Sequence, residues 1–122
     1  MLAIPMNKLG ETPLMSEYFG KSKWFAIIDD GVISFEKNVH VNGCKIVDWL
    51  YDLGVTQTFV NFIGISPFEK LKKMDIECLY SPEHLKSLTE ILDIIESNKA
   101  TKVDNENFSQ VVDFSNGCQD KC

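Results

Sequence analysis

Apolar positions in this chain come in two patterns, short unbroken runs and stripes of helical spacing, and their alternation sets the expected order of elements. Residues 2–6 form a brief apolar run, closed by Asn7 and Gly10, of the kind that makes a buried strand. Residues 7–23 carry Gly10, Pro13 and Gly20 without a sustained period and are expected to be mostly loop. A second apolar and aromatic run covers Trp24–Asp29. Asp30-Gly31 then gives a two-residue hairpin signal, because both residue types tolerate the positive φ of a type I′ turn. Residues 32–39 alternate as the return strand, with Val32, Ser34, Glu36 and Asn38 on one face.

From residue 43 the period lengthens. Gly43–Leu53 sets Ile46, Val47, Leu50 and Leu53 on one stripe, with Gly54 in the position of a C-terminal stop. Residues 57–63 are β-rich. Ser66-Pro67-Phe68-Glu69 has the form of a helix start, with Ser as cap, Pro at the first helical position and Glu closing a capping box. Residues 76–80 predict a further strand, and Ser81-Pro82 opens a third helix striped by Leu85, Leu88, Ile91, Leu92 and Ile95.

A hairpin followed by alternating helix and strand implies an α/β fold with a mixed sheet. Right-handed crossovers give a five-stranded sheet in spatial order 3-2-1-4-5, the second strand antiparallel, with three helices, which is the ribonuclease-H-like arrangement. The expected domain is 1–100. Residues 101–122 read as a polar C-terminal tail, interrupted by Val111-Val112-Asp113-Phe114 and ending in Cys118-x3-Cys122.

Composition narrows the function. The 122 residues make one domain, with 44% hydrophobic and 25% charged side chains, ordinary for a soluble protein. No apolar run reaches the length of a membrane span and the N-terminus lacks a secretory pattern, so a cytoplasmic protein with no membrane partner is expected. A net charge of −6 argues against nonspecific binding of nucleic acid. In a reducing cytoplasm Cys44, Cys78, Cys118 and Cys122 are expected as thiols.

In open α/β sheets ligands bind outside the carboxyl ends of the parallel strands. Three segments converge there: the loop after the first strand (residues 7–20), the turn at residues 40–44, and the turn at residues 63–67. Two of these are helix starts, with unpaired N–H groups that favour an anion. Gly43 and Gly64 would allow close approach of a ligand to the backbone, or serve only as turn residues.

The loops carry a resemblance. MLAIPMNKLGETPLMSEYFGKSKWF over residues 1–25 resembles the opening of the dinitrogenase iron–molybdenum cofactor biosynthesis family, of the NifX, NifY and NifB C-terminal type, in which an IAIP-like strand precedes a loop ending Ser-x-His-Phe-Gly. Residues 43–65, with Gly54-Val55 and Ile63-Gly64, and the segment Pro67-Phe68-Glu69-Lys70-Leu71 are similar to the same family. The resemblance implies a ribonuclease-H-like carrier of iron–sulfur, iron–molybdenum or other molybdenum-containing clusters, related to nitrogen fixation, with a cluster donor or acceptor protein as partner. It does not imply an enzyme. Consistent with this, residues 2–6 contain none of the carboxylates a two-metal nuclease needs. Ser16 and Phe19 match the loop motif, Tyr18 occupies its His position, and Gly43, Cys44, Gly64 and Ser66 fall on the turns, so these seven are the candidate cluster-binding residues. Tyr18 stands where the family has His, and a phenol is a poor ligand for a sulfide-rich cluster. Cys44 at a helix start is therefore the leading metal-ligand candidate, with Cys118 and Cys122 as possible further thiolates. Cys78, alternating with apolar neighbours, reads as core. His40 could face the crevice or solvent, and His84 reads as a solvated helix residue. The alternative function is a non-catalytic interaction module using Tyr18, Phe19, Trp24 and Phe25 as an aromatic docking surface.

Overall fold

A computed structural model describes residues 1–112. Its core is a mixed sheet built on strand β1 (Leu2–Lys8). The other strands are β2 (Leu14–Met15), β3 (Trp24–Asp29), β4 (Val32–Lys37), β5 (Gln57–Phe59), β6 (Glu77–Tyr80) and β7 (Thr101–Lys102). The helices are α1 (Gly43–Leu53), α2 (Ile65–Lys73) and α3 (Leu88–Glu96), with short 3-10 turns at Phe19–Lys21 and Phe108–Gln110. The sheet runs β4-β3-β1-β5-β6-β7, and β2 also pairs with β1. Among the described residues it therefore has seven strands rather than the five predicted; the two extra ones are only two residues long, too short to show a period.

β3 is antiparallel to β1 and to β4, while β5 and β6 run parallel to β1. The hairpin turn is as the sequence predicts: Asp30 and Gly31 both have positive φ, 52° and 80°. Leu2, Ala3, Ile4 and Met6 of β1 are all buried, because helices cover both faces of the central strand. On one face Ile46, Val47, Leu50, Phe68 and Leu71 of α1 and α2 pack with Phe19, Phe25 and Ile27. On the other, Leu88 and Ile91 of α3 pack with Leu2, Ile4, Met6, Phe59 and Leu79.

Pro5 is the exception to the usual exclusion of proline from central strands. β1 shares one edge between two neighbours, pairing with β5 at Leu2 and Ala3 and with β2 at Met6 and Lys8. Pro5 falls in the gap. Its carbonyl accepts from Ser16 N–H at 2.8 Å. A residue's N–H and C=O point to the same side of a strand, so the N–H that Pro5 lacks would also have faced the gap and not β3. The sheet therefore loses no ladder bond.

Two helix starts differ from expectation. α2 begins at Ile65 behind Gly64, since Phe68 N–H already reaches the Gly64 carbonyl at 3.1 Å; Ser66 and Pro67 lie inside the first turn, where a missing N–H costs nothing. α3 begins at Leu88, not after Ser81-Pro82. Residues 85–87 are held extended against the β2 segment, Met15 N–H donating to Lys86 O at 2.6 Å and Leu88 N–H to Pro13 O at 3.1 Å. Ser87 is the true cap: its Oγ accepts from Glu90 N–H at 3.2 Å and donates to the Glu90 carboxylate at 2.9 Å. After α3 the chain returns to the sheet. β7 pairs with β6, Val103 and Val111 are buried, and Ile63 N–H donates to Val111 O at 2.8 Å.

Candidate functional site

Because β1, β4, β5 and β6 all point the same way, the chain leaves all four toward one edge, and α1, α2 and α3 each start there. The loop carrying Ser16, Tyr18 and Phe19 is fastened across this edge by backbone bonds. Phe62 N–H donates to Glu17 O at 3.0 Å, and Phe19 N–H to Phe62 O at 2.9 Å. Tyr18 and Phe62 thus form a one-rung parallel bridge, two residues before Gly64. The structure brings Tyr18 and Gly64 into one neighbourhood that neither local sequence specifies.

Each candidate side chain is then placed. Ser16 is buried and its Oγ donates to Tyr18 O at 2.9 Å, so it shapes the loop from within. The Tyr18 ring is half-buried, 6.0 Å from the Phe62 ring and 5.3 Å from the Lys21 ammonium. Phe19 is a core residue, edge-on to Phe25 at 5.6 Å; its side chain pins the loop to the sheet. Phe25 is also fully buried, so an aromatic docking surface formed by Tyr18, Phe19, Trp24 and Phe25 together does not exist.

The two helix starts on this face differ. Asn42 caps α1, its Oδ1 accepting from Cys44 N–H at 2.7 Å and Lys45 N–H at 3.4 Å. Gly43 and Cys44 are buried, and Cys44 is disulfide-bonded. A ligand role for its sulfur requires that bond to be reduced. At α2 the cap residue is Gly64, which offers no side chain, and Ser66 is half-buried in the first turn. The helix donors there have no side-chain cap, the kind of start whose dipole favours an anion, and Gly64 itself is buried. α1 packs against α2 and against the turn at Phe19–Lys21, so both starts flank the fastened loop.

His40 lies beside Trp49, ring centres 5.7 Å apart. Cys78 is in the core, and burial pushes its thiol pKa far up. Among the described residues no three His, Cys, Asp or Glu side chains cluster as a metal site. Cys118 and Cys122 lie outside the described residues. No described helix is long and apolar enough to cross a membrane.

Sequence reasoning misplaced one residue at this edge. With α3 starting late, His84 sits in the connection from β6, at φ 51°, its ring stacked on Phe62 at 4.9 Å and 13°. Its Nδ1 is buried without a hydrogen-bond partner, as is Oδ1 of Asn61. The late cap Ser87-x-x-Glu90 was the available signal that His84 is not helical.

The fold has close counterparts among solved structures. The apo form of the orange protein from Desulfovibrio gigas matches with TM-score 0.72 at 14% identity, over 84% of this chain and 91% of that one. A Thermotoga protein described as a candidate NifB protein matches with TM-score 0.70 at 21% identity, over 83% and 90%. A Methanocaldococcus jannaschii protein described as a candidate dinitrogenase gives 0.64 at 18%, over 85% and 94%. These identities establish a shared fold. No curated protein matches by sequence. Residues 1–110 match the dinitrogenase iron-molybdenum cofactor family, which covers every described element, and the chain belongs to that family.

Proposed function

We propose that this protein is a non-catalytic carrier of an anionic metal–sulfur cluster, iron–sulfur, iron–molybdenum or another molybdenum-containing one, taken from a donor protein and passed to an acceptor in the cytoplasm. The observation that carries the reading is the uncapped start of α2 at Gly64, beside the loop that holds Ser16, Tyr18 and Phe19. Free helix donors at a glycine favour a large anion through backbone N–H groups, without a cage of acidic side chains that would repel it. Family membership supports a cluster as that anion.

The sheet is read as ribonuclease-H-like with its nuclease chemistry absent, since Leu2–Lys8 contributes no carboxylate to the strand end. Tyr18 would line the cluster rather than ligate it. Cys44 would supply a thiolate once reduced, with Cys118 and Cys122 as further candidates. Gly43, Gly64 and Ser66 would supply close backbone approach at the helix starts.

Anaerobic reconstitution with iron, molybdate and sulfide under thiol reductant tests this. A chromophore stoichiometric with protein is expected, weakened by Cys44→Ser and more strongly by Gly64→Asp, which places a carboxylate on the anion. A colourless, metal-free protein after that treatment would sink the proposal.

A further inference from the structure

A cavity of about 360 Å³, within the range of small-molecule sites, lies beyond the carboxyl end of β1. Its walls come from four segments that meet only in the fold: Lys8 at the end of β1, Glu17 in the following loop, Asn61 and Phe62 after β5, and His84 and Lys86 before α3. Asn61 is 5% exposed. Its Nδ2 donates to Leu85 O at 3.0 Å, which fixes the amide's orientation and turns Oδ1 into an acceptor with no partner. His84 Nδ1 is a second buried atom without a partner. Leaving two such atoms unmatched is costly, and both belong to side chains that line the cavity, where a bound group would give them partners.

The polar groups divide by sign. Asn61 Oδ1, the Glu17 carboxylate and His84 Nδ1, in the tautomer that carries its proton on Nε2, are all acceptors and call for a multiple N–H donor. The Lys8 and Lys86 ammonium groups, neither of which forms an ion pair among the described residues, call for an anion. Met15 and Phe62 supply an apolar wall. A molecule that joins an ammonium group to a carboxylate, with a short apolar substituent, matches all three sets.

We infer that this cavity binds a small zwitterion of the α-amino-acid class, its ammonium on Asn61, His84 and Glu17 and its carboxylate on Lys8 and Lys86. The site borders the loop of Ser16, Tyr18 and Phe19 but needs no metal, so its test is run on metal-free protein. Phe62 is in ring contact with both Tyr18 and His84 and joins the cavity to that loop.

The test is a titration of metal-free, uniformly ¹⁵N-labelled protein with L-alanine and L-leucine, against acetate and methylamine as half-ligands, following the Asn61 side-chain amide. Either amino acid should give saturable shifts, and each half-ligand should bind at least about tenfold more weakly. His84→Asn, which keeps a residue tolerant of positive φ, and Lys86→Gln, at an exposed position, should each weaken binding about tenfold while leaving the spectrum of the fold intact. Lys99→Gln, at an exposed position outside the cavity lining, should change nothing. No saturable shift up to about 10 mM amino acid would overturn the inference, as would acetate binding as tightly as alanine or full affinity in a folded His84→Asn.

Discussion

The two helices that flank the fastened loop start in opposite ways. α1 begins behind Asn42, whose side chain takes two of its free donors. α2 begins behind Gly64, which takes none. A cap stabilises the apo protein by consuming the N–H groups an anion would use; an uncapped start forgoes that stability and keeps the donors. The contrast separates a helix end closed by its own side-chain cap from one without, on neighbouring helices packed over one core layer.

That comparison can be broken from beneath. Phe19 is buried under the loop between the two starts, in the cluster that holds Ile46, Val47 and Phe68. Phe19→Ala should cost about 3–5 kcal/mol in urea denaturation, and a loss under about 1 kcal/mol would mean the loop is not anchored as described. The dryness of the same layer can be read from Cys78. Its thiol stays neutral in the fold, while in the unfolded chain it ionises near its ordinary value of 9.0. The unfolded state therefore gives up its proton first as pH rises, so stability is full below about pH 9 and falls by about 1.4 kcal/mol per unit above it. Cys78→Val should remove that part of the slope; an unchanged slope would show that water reaches the thiol.

The smallest effects bear on the contrast most directly. Asn42→Ala should lose about 1 kcal/mol, whereas Gly64→Asp should gain a few tenths of a kcal/mol in the metal-free protein by supplying the missing cap. Thermal unfolding of the two variants side by side checks the pair. If Gly64→Asp destabilises and Asn42→Ala does not, the assignment of closed and open starts is reversed.

How legible each region was in the sequence follows from how local its causes are. The hairpin at Asp30-Gly31 and helix α1, with its stop at Gly54 (φ 94°), depend on residues within a few positions of one another, and periodicity exposes them. The start of α3 was misplaced because Ser81-Pro82 carries a valid local signal. It is overridden by the backbone bonds of residues 86 and 88 to a segment more than seventy positions earlier. Topology directs four strands to one edge, but the side chains there are not legible: the alternative reading of Phe19 and Phe25 as docking aromatics and the reading of His84 as a solvated helix residue both give way to burial and to stacking on Phe62.

What the sequence by itself determined is the succession of strands, turns and helices and the family motif at residues 16–20, since both are written in short-range patterns. Only the tertiary structure decided that Pro5 falls where β5 and β2 part, that the Tyr18 loop is laced to Phe62, and that Asn61 and His84 share a cavity. Those pairings join residues far apart in the chain through backbone bonds and burial, and no local preference records which distant partner a buried polar atom will meet.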